Sequence, residues 1–452
     1  MTEIVKVLVM TVAIAAVMCG MATGQEATPA QLQARARALL QLLVDGDFTS
    51  AENSFDSTMR TALPKAQLRL AWQQLTTEAG PYQRELAIET SPTGGYEVVV
   101  ITCRFEKQTI AAKIVYNAQS QVSGLFFSPA EAAAPKEPAQ ESVPEYIHPA
   151  AFEEKDVVVG AAPWALPATL SMPKGKGPFP AVVLVHGSGP NDRDETIGPN
   201  KVFRDLAWGL ASQGVAVLRY EKRTREHRDQ LKDLKNFTVE QEVLEDARAA
   251  VKELRDTQGI AKDRVFVLGH SEGGYLAPRL AASDPDIAGI IMMAGLARTI
   301  EDAIISQTQY LAAQGGAGDE AQKQQLHAIQ AEAEKIRNVK PGETGTIFHA
   351  PASYWIDLKN YDPVVTAEKL RMPILILQGE RDYQVTMKDD FTRWKTGLNS
   401  HSNVTFKSYP GLNHLFMSGE GPSLPAEYAR PNHVSSDVVQ DIAHWVQQQN
   451  AR

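Results

Sequence analysis

Three residues of the right types stand in the order Ser…Asp…His that acyl transfer uses: Ser271, Asp382 and His414. Ser271 lies in Gly269-His270-Ser271-Glu272-Gly273, a G-x-S-x-G run. A serine hydroxyl is a weak nucleophile at neutral pH, so a base must take its proton and a carboxylate must orient that base. Asp382 closes the turn Gly379-Glu380-Arg381-Asp382 and is the candidate acid. Glu380 is its rival, but it lies two residues nearer the preceding strand and is worse placed to reach over the sheet edge. His414 follows Tyr409-Pro410-Gly411-Leu412-Asn413 and is the candidate base; His433 and His444 belong before and inside a closing helix. The oxyanion that forms on attack needs two backbone N–H donors. One is that of Glu272, directly after the nucleophile. The other is that of Ser188, in His186-Gly187-Ser188-Gly189.

These side chains need elements that hold them together. Val265-Phe266-Val267-Leu268 is an apolar run bounded by glycine, the pattern of a strand buried on both faces. Tyr275–Ala281 reads as a helix. Strand, tight turn and helix form the setting of a nucleophile elbow, with the serine hydroxyl lifted clear of the sheet and the helix N-terminus facing the oxyanion. Around it, Ala181–Val185, Val215–Leu218, Ile287–Met293, Ile374–Leu377 and Val404–Tyr409 read as further strands, after an antiparallel pair at Phe152–Val159 and Ala165–Met172. Helices are predicted at Val202–Ser212, after the capping box Thr238-Val239-Glu240-Gln241, and at Val438–Val446. Buried strands alternating with amphipathic helices specify an α/β fold with a doubly wound, mostly parallel sheet. Some eighty residues between the strands at 287–293 and 374–377 exceed an ordinary crossover. Helices at Glu301–Ala313 and Glu320–Val339 make this a helical cap insertion, about 296–360, above the strand ends.

The remainder of the chain carries no comparable chemistry. Residues 28–128 run helices first and then four strands, a small α+β domain preceding the sheet. Residues 129–146 are rich in Pro, Ala and Glu and read as a linker, so the larger domain spans 147–452. Lys6 followed by the apolar run Val7 to Met18 and the small residues Ala22-Thr23-Gly24 reads as a signal peptide over 1–24. The protein is therefore expected outside the cytoplasm, with lipid attachment at Cys19 as the alternative. No later segment is apolar and long enough to span a membrane. Removal of 1–24 leaves Cys103 as a single cysteine, which excludes an intrachain disulfide and a cysteine metal site. The net charge of −9 argues against nucleic acid and anionic membranes as partners. The run Asn191-Asp192-Arg193-Asp194-Glu195 reads as a solvated loop whose charges pair among themselves, and Arg219–Arg223 as structural.

Taken together, HGSGPNDRDETIGPNKVFRDLAWGL, RYEKR, GHSEGG and LILQGERDYQV resemble the α/β-hydrolases, and within them bacterial carboxylesterases with an additional N-terminal domain. The N-terminal stretch resembles cystatin-like or NTF2-like domains. The resemblance implies Ser271, Asp382 and His414 as the triad, a small-molecule ester as substrate, and neither metal nor organic cofactor. It also implies kinship with aminoacyl-peptidase-like hydrolases, so a peptidase or amidase on the same triad is the first alternative. A binding protein built on an inactive scaffold is the second.

Overall fold

The computed structural model describes residues 28–93, 96–117, 119–129, 143–231, 236–314, 320–348 and 350–449. The signal segment 1–24 with Cys19, and most of the expected linker, lie outside the described residues. The chain divides into two compact units, Met1–Ser142 and Val143–Arg452.

In the first unit, helices α1 (Pro29–Val44), α2 (Phe48–Asn53), α3 (Ser57–Ala62) and α4 (Lys65–Ala79) precede four strands. These are β1 (Tyr82–Thr93), β2 (Tyr96–Phe105), β3 (Thr109–Tyr116) and β4 (Val122–Pro129), an antiparallel meander in sequential order. The short α2 and α3 went unread in the sequence. Each opens on an aspartate, Asp47 or Asp56, whose carboxylate accepts an N–H of the first turn. Alternation along β2 buries Val99, Ile101, Cys103 and Phe105. Trp72 meets Phe105 and Phe127 edge-on. Burial pushes the Cys103 thiol up to about 12, so it is an inert packing residue.

The second unit begins with the antiparallel pair β5 (Phe152–Val159) and β6 (Leu166–Pro173), followed by β7 (Phe179–Val185). A two-residue hairpin, β8 (Thr196–Ile197) and β9 (Asn200–Lys201), leads into α5 (Val202–Ser212) and β10 (Ala216–Tyr220). Short helices α6 (Arg223–Glu226) and α7 (Arg228–Leu231) come before α8 (Glu245–Asp256), β11 (Ile260–His270), α9 (Glu272–Ser283) and β12 (Ile290–Met293). The Thr238 cap opens on a π turn, Glu240–Leu244, rather than directly on the expected α-helix. The long insertion holds α10 (Ile300–Gln314), α11 (Glu320–Asn338), the hairpin β13 (Thr346–Ile347) and β14 (Ala350–Pro351), and α12 (Ala352–Leu358). Then come α13 (Pro363–Ala367), β15 (Ile374–Gly379), α14 (Thr392–Leu398), β16 (Val404–Tyr409) and α15 (Ser436–Gln448).

The large sheet has the order β16-β15-β12-β11-β7-β10-β6-β5. From β10 across to β16 every pair is parallel. The third and fourth strands, β7 and β10, exchange places, which opens the crevice beyond the carboxyl ends of the strands. Near-continuous burial of β7, β12 and β15 follows from their aliphatic runs, as in a sheet covered on both faces. No described helix is long and apolar enough to cross a membrane.

Candidate active site

Four strand ends meet at one place. β11 and β7 run in register, with Gly269 opposite Val185, so the turn after β11 adjoins the loop after β7. β15 and β16 likewise pair Gly379 with Tyr409, bringing the loops that carry Asp382 and His414 together. Glycine at 379 is required: a Cβ there would come within 2.5 Å of the Asn413 carbonyl oxygen.

Ser271 occupies the turn between β11 and α9 with φ 53° and ψ −112°. A non-glycine residue held there costs on the order of 1–3 kcal/mol. Its own N–H donates to Met293 O at 2.9 Å, so that donor is engaged. Glu272 is the first residue of α9, and its N–H has no intrahelical acceptor. A Cβ on Gly273 would fall 2.2 Å from Val185 O, so the helix start reaches the end of β7 only because that residue is glycine.

His414 Nδ1 lies 2.7 Å from Asp382 Oδ2, and both residues are buried. Asp382 Oδ1 accepts the N–H groups of Gln384 and Val385 at 2.8 and 3.0 Å, and Gln378 Nε2 donates to Oδ2 at 3.2 Å. The rival Glu380 instead accepts from Ser408 Oγ at 2.7 Å. The His414 loop is stiffened by Asn413, whose Oδ1 accepts Leu415 N–H and Met417 N–H. His433 pairs with Asp205 in front of α15, and His444 lies within that helix.

The loop after β7 closes on the same place. A Cβ on Gly187 would lie 3.2 Å from Ser271 Cβ. Gly187 N–H donates to Glu195 Oε1 at 2.7 Å, and Gly187 O accepts from Lys222 Nζ at 2.9 Å. Ser188 follows in an exposed turn.

With this geometry in view, likeness to known proteins becomes informative. Residues 178–420 match the family described as serine aminopeptidase, S33. Esterase EstD of Thermotoga maritima is 39% identical over 408 residues, 90% of this chain and 93% of its own. The chain is an α/β-hydrolase of that S33 family. Residues 36–125, within the first unit, match a family described only as a protein of unknown function. Solved structures similar to the hydrolase include an esterase of Pyrococcus furiosus, at 15% identity and TM-score 0.42, covering 66% of this chain and 91% of that one. A puromycin-hydrolyzing peptidase of Mycobacterium tuberculosis gives 16% and 0.42, covering 82% and 48%.

The charged residues after β7 correct one expectation. They do not form a solvated loop paired within itself. Arg193 donates to Glu221 at 2.8 Å and Asp194 accepts from Arg219 at 2.8 Å, both on the segment at the end of β10. Glu195 is 1% exposed and faces His270 Nδ1 at 2.9 Å. His270 Nε2 in turn donates to His414 O at 3.0 Å. A ring with one nitrogen on a carbonyl and the other on a carboxylate is satisfied when both carry protons. Burial alone would lower the His270 pKa, but the Glu195 carboxylate outweighs it and the pKa lies above the usual value. Burial would raise Glu195, and His270 holds it below the usual carboxylate value instead. His270 thus ties the β7 loop to the His414 loop through its buried contacts with Glu195 and His414 O.

A second cluster lies beneath Gly187. Lys222 Nζ contacts Glu242 Oε1 at 3.0 Å and Glu272 Oε2 at 3.1 Å, and Tyr354 OH on α12 donates to Glu272 Oε1 at 2.6 Å. Sequence reasoning assigned no site role to His270, Glu195, Lys222, Glu242 or Tyr354. For His270 and Lys222 the signal in the sequence was polarity at the ends of apolar strands; Glu195, Glu242 and Tyr354, in a loop, a π turn and a helix, carried none. The insertion also meets the Asp382 loop: Gln307 Nε2 on α10 donates to Gln384 O, and Tyr310 stacks on Tyr383 at 5.0 Å. Among the described residues no group of three His, Cys, Asp or Glu is placed to hold a metal ion.

Proposed function

We propose that the protein is an exported serine hydrolase that cleaves short-chain carboxylic esters, with Ser271 as nucleophile, His414 as general base and Asp382 as its orienting carboxylate. The observation that carries this reading is the 2.7 Å contact of His414 Nδ1 with Asp382, beside a serine held at positive φ in the β11–α9 turn. With Nδ1 committed to Asp382, Nε2 is the ring nitrogen left to take the Ser271 proton. Ser271 Oγ then attacks the ester carbonyl. The tetrahedral oxyanion accepts from the N–H groups of Ser188 and Glu272. His414 gives the proton to the departing alcohol, and water attacks the acyl-enzyme by the same route in reverse order.

Two observations favour esters over peptides. EstD, the relative at 39% identity, is named an esterase. An aminopeptidase needs a carboxylate for the substrate's ammonium group, and the acids nearest the β7 loop are already engaged. Asp194 bonds Arg219, Glu195 bonds His270, Glu221 bonds Arg193, and Asp192 accepts Thr196 N–H. The family's description as serine aminopeptidase keeps the amidase reading as the one to test against.

The experiment is turnover of p-nitrophenyl acetate, butyrate, octanoate and decanoate beside aminoacyl p-nitroanilides, with fluorophosphonate labelling of wild type and Ser271→Ala. Acetate and butyrate are expected to give the highest kcat/KM, with amides lower by several orders of magnitude and label on Ser271 alone. Labelling that persists in Ser271→Ala refutes the nucleophile. Anilides outpacing butyrate refute the ester assignment.

A further inference from the structure

Lys222 follows β10, and its side chain is almost fully enclosed. An ammonium group has three protons and no acceptor. Here three oxygens take them: Gly187 O at 2.9 Å, Glu242 Oε1 at 3.0 Å and Glu272 Oε2 at 3.1 Å. Burying a charge is costly unless it is paired and fully hydrogen-bonded, and these contacts meet both conditions. The Lys222 backbone N–H also donates to Asn191 O, and Asn191 Nδ2 joins the ammonium on Gly187 O at 3.0 Å. The ammonium is therefore fixed from both ends.

Two of its three acceptors are tied to the oxyanion donors: Gly187 O shares a peptide unit with Ser188 N–H, and Glu272 itself carries the other N–H. In a trans peptide the C=O and the following N–H point in opposite directions. Drawing Gly187 O down onto Lys222 therefore aims Ser188 N–H up and away from the cluster. The third proton contact grips the side chain of Glu272, whose N–H is the second donor, and so anchors the first turn of α9. Tyr354 holds the other oxygen of that carboxylate from α12.

We propose that Lys222 is the positioning residue of the oxyanion hole, setting the Ser188 peptide and the start of α9 in one geometry, with Tyr354 extending that grip to the long insertion. This rests on the reading of Ser188 and Glu272 as oxyanion donors given above. Lys222 touches no reacting atom, so its effect must appear in stabilisation of the tetrahedral state and not in substrate binding.

The test compares wild type with Lys222→Met, Glu242→Gln and Tyr354→Phe on p-nitrophenyl acetate. Each protein is also titrated with a trifluoromethyl ketone, which forms a tetrahedral adduct on the serine, and melted thermally. Lys222→Met should lower kcat about 100-fold with KM within threefold, and weaken the ketone in proportion to kcat. Tyr354→Phe and Glu242→Gln should each lower kcat threefold or more with the same signature. Lys222→Met that folds and keeps kcat and ketone affinity within twofold overturns the proposal. So does a loss that falls on KM and melting temperature while ketone affinity holds. If Lys222→Met does not fold, Tyr354→Phe and Glu242→Gln decide: both within twofold of wild type in kcat and ketone affinity overturn it. Turnover that survives Ser271→Ala in the wild-type background instead removes the underlying reading, which separates the two failures.

Discussion

Gly273→Ala is the sharpest test of how the site is assembled. The added Cβ would sit 2.2 Å from Val185 O and 2.8 Å from His186 O, both main-chain atoms at the end of β7. A carbon and a carbonyl oxygen settle at about 3.3 Å or more, so the two elements must separate by about 1 Å. No side-chain rotation relieves the clash, because the partners are backbone in the centre of the sheet. The separation falls between Glu272 N–H on α9 and Ser188 N–H beyond β7. A displacement of about 1 Å costs roughly 100-fold in rate, and loss of one oxyanion donor costs about 100- to 1,000-fold. The expected result is kcat on p-nitrophenyl acetate lower by at least 100-fold, KM little changed, and stability reduced by about 1–3 kcal/mol from the strain. Gly411→Ala is the control, since a Cβ there meets nothing within 4 Å and φ is not positive. Steady-state kinetics and urea melts of both variants provide the assay. Gly273→Ala with kcat within threefold of wild type and an unshifted melt would refute the close approach of α9 to β7.

Other consequences can be measured on the same footing. His414→Ala and Asp382→Asn should each lower kcat by orders of magnitude in a folded protein, and the double variant should be little worse than His414→Ala alone; Glu380→Gln hurting more than Asp382→Asn would make Glu380 the acid. Burial pushes His186 down to about 4 although its ordinary value is 6.5, so between those values the unfolded chain binds the extra proton and stability falls as pH drops. That contribution is about 3 kcal/mol at full extent and should be largely absent from the pH dependence of urea melts of His186→Gln. The His270–Glu195 pair has the opposite upper edge. The raised His270 pKa gives stability that is full below pH 6.5 and lost as pH rises through the folded-state value, while the lowered Glu195 pKa gives stability lost on acidification. Melts of Glu195→Gln across pH 5–10 should lose the alkaline decline, and a profile parallel to wild type would rule out a charged pair.

The fold was legible because its signals are local. Phe266-Val267-Leu268-Gly269 announces a buried strand and a tight turn within a few residues, and the alternation of such runs with amphipathic helices announces the sheet. The turn after β15 and the loop after β16 could be found from the ends of their strands. What escaped was pairing across the chain. Glu272 meets Lys222 and Tyr354 at separations of 50 and 82 positions, which leave no periodic trace. Residues 191–195 misled for a related reason. Five polar residues in a row look solvated, and only distant partners, Arg219 and Glu221 at the end of β10 and His270 at the end of β11, turn them into a half-buried fastening. The short α2 and α3 were missed because six residues are too few to display a helical period.

The long insertion is two things joined in sequence. α10 and α11 pack chiefly on each other, and the described part of α10 buries one residue, Ala303. α12 is different: Ala352, Tyr354, Trp355 and Leu358 all belong to the main core, and Trp355 Nε1 bonds Ile347 O. A graft that exchanges 300–338 for the corresponding segment of another hydrolase therefore replaces a visor. That visor reaches the main core only through small contacts such as Ala303 and Ile336, but touches the Asp382 loop through Gln307 and Tyr310. A graft that runs on through 358 takes out part of the frame on which α9 is hung, since Tyr354 on α12 bonds Glu272 at its start. Chimeras cut between those limits should separate altered substrate choice from damaged chemistry, and the seam runs through the stretch from Val339 to Gly345.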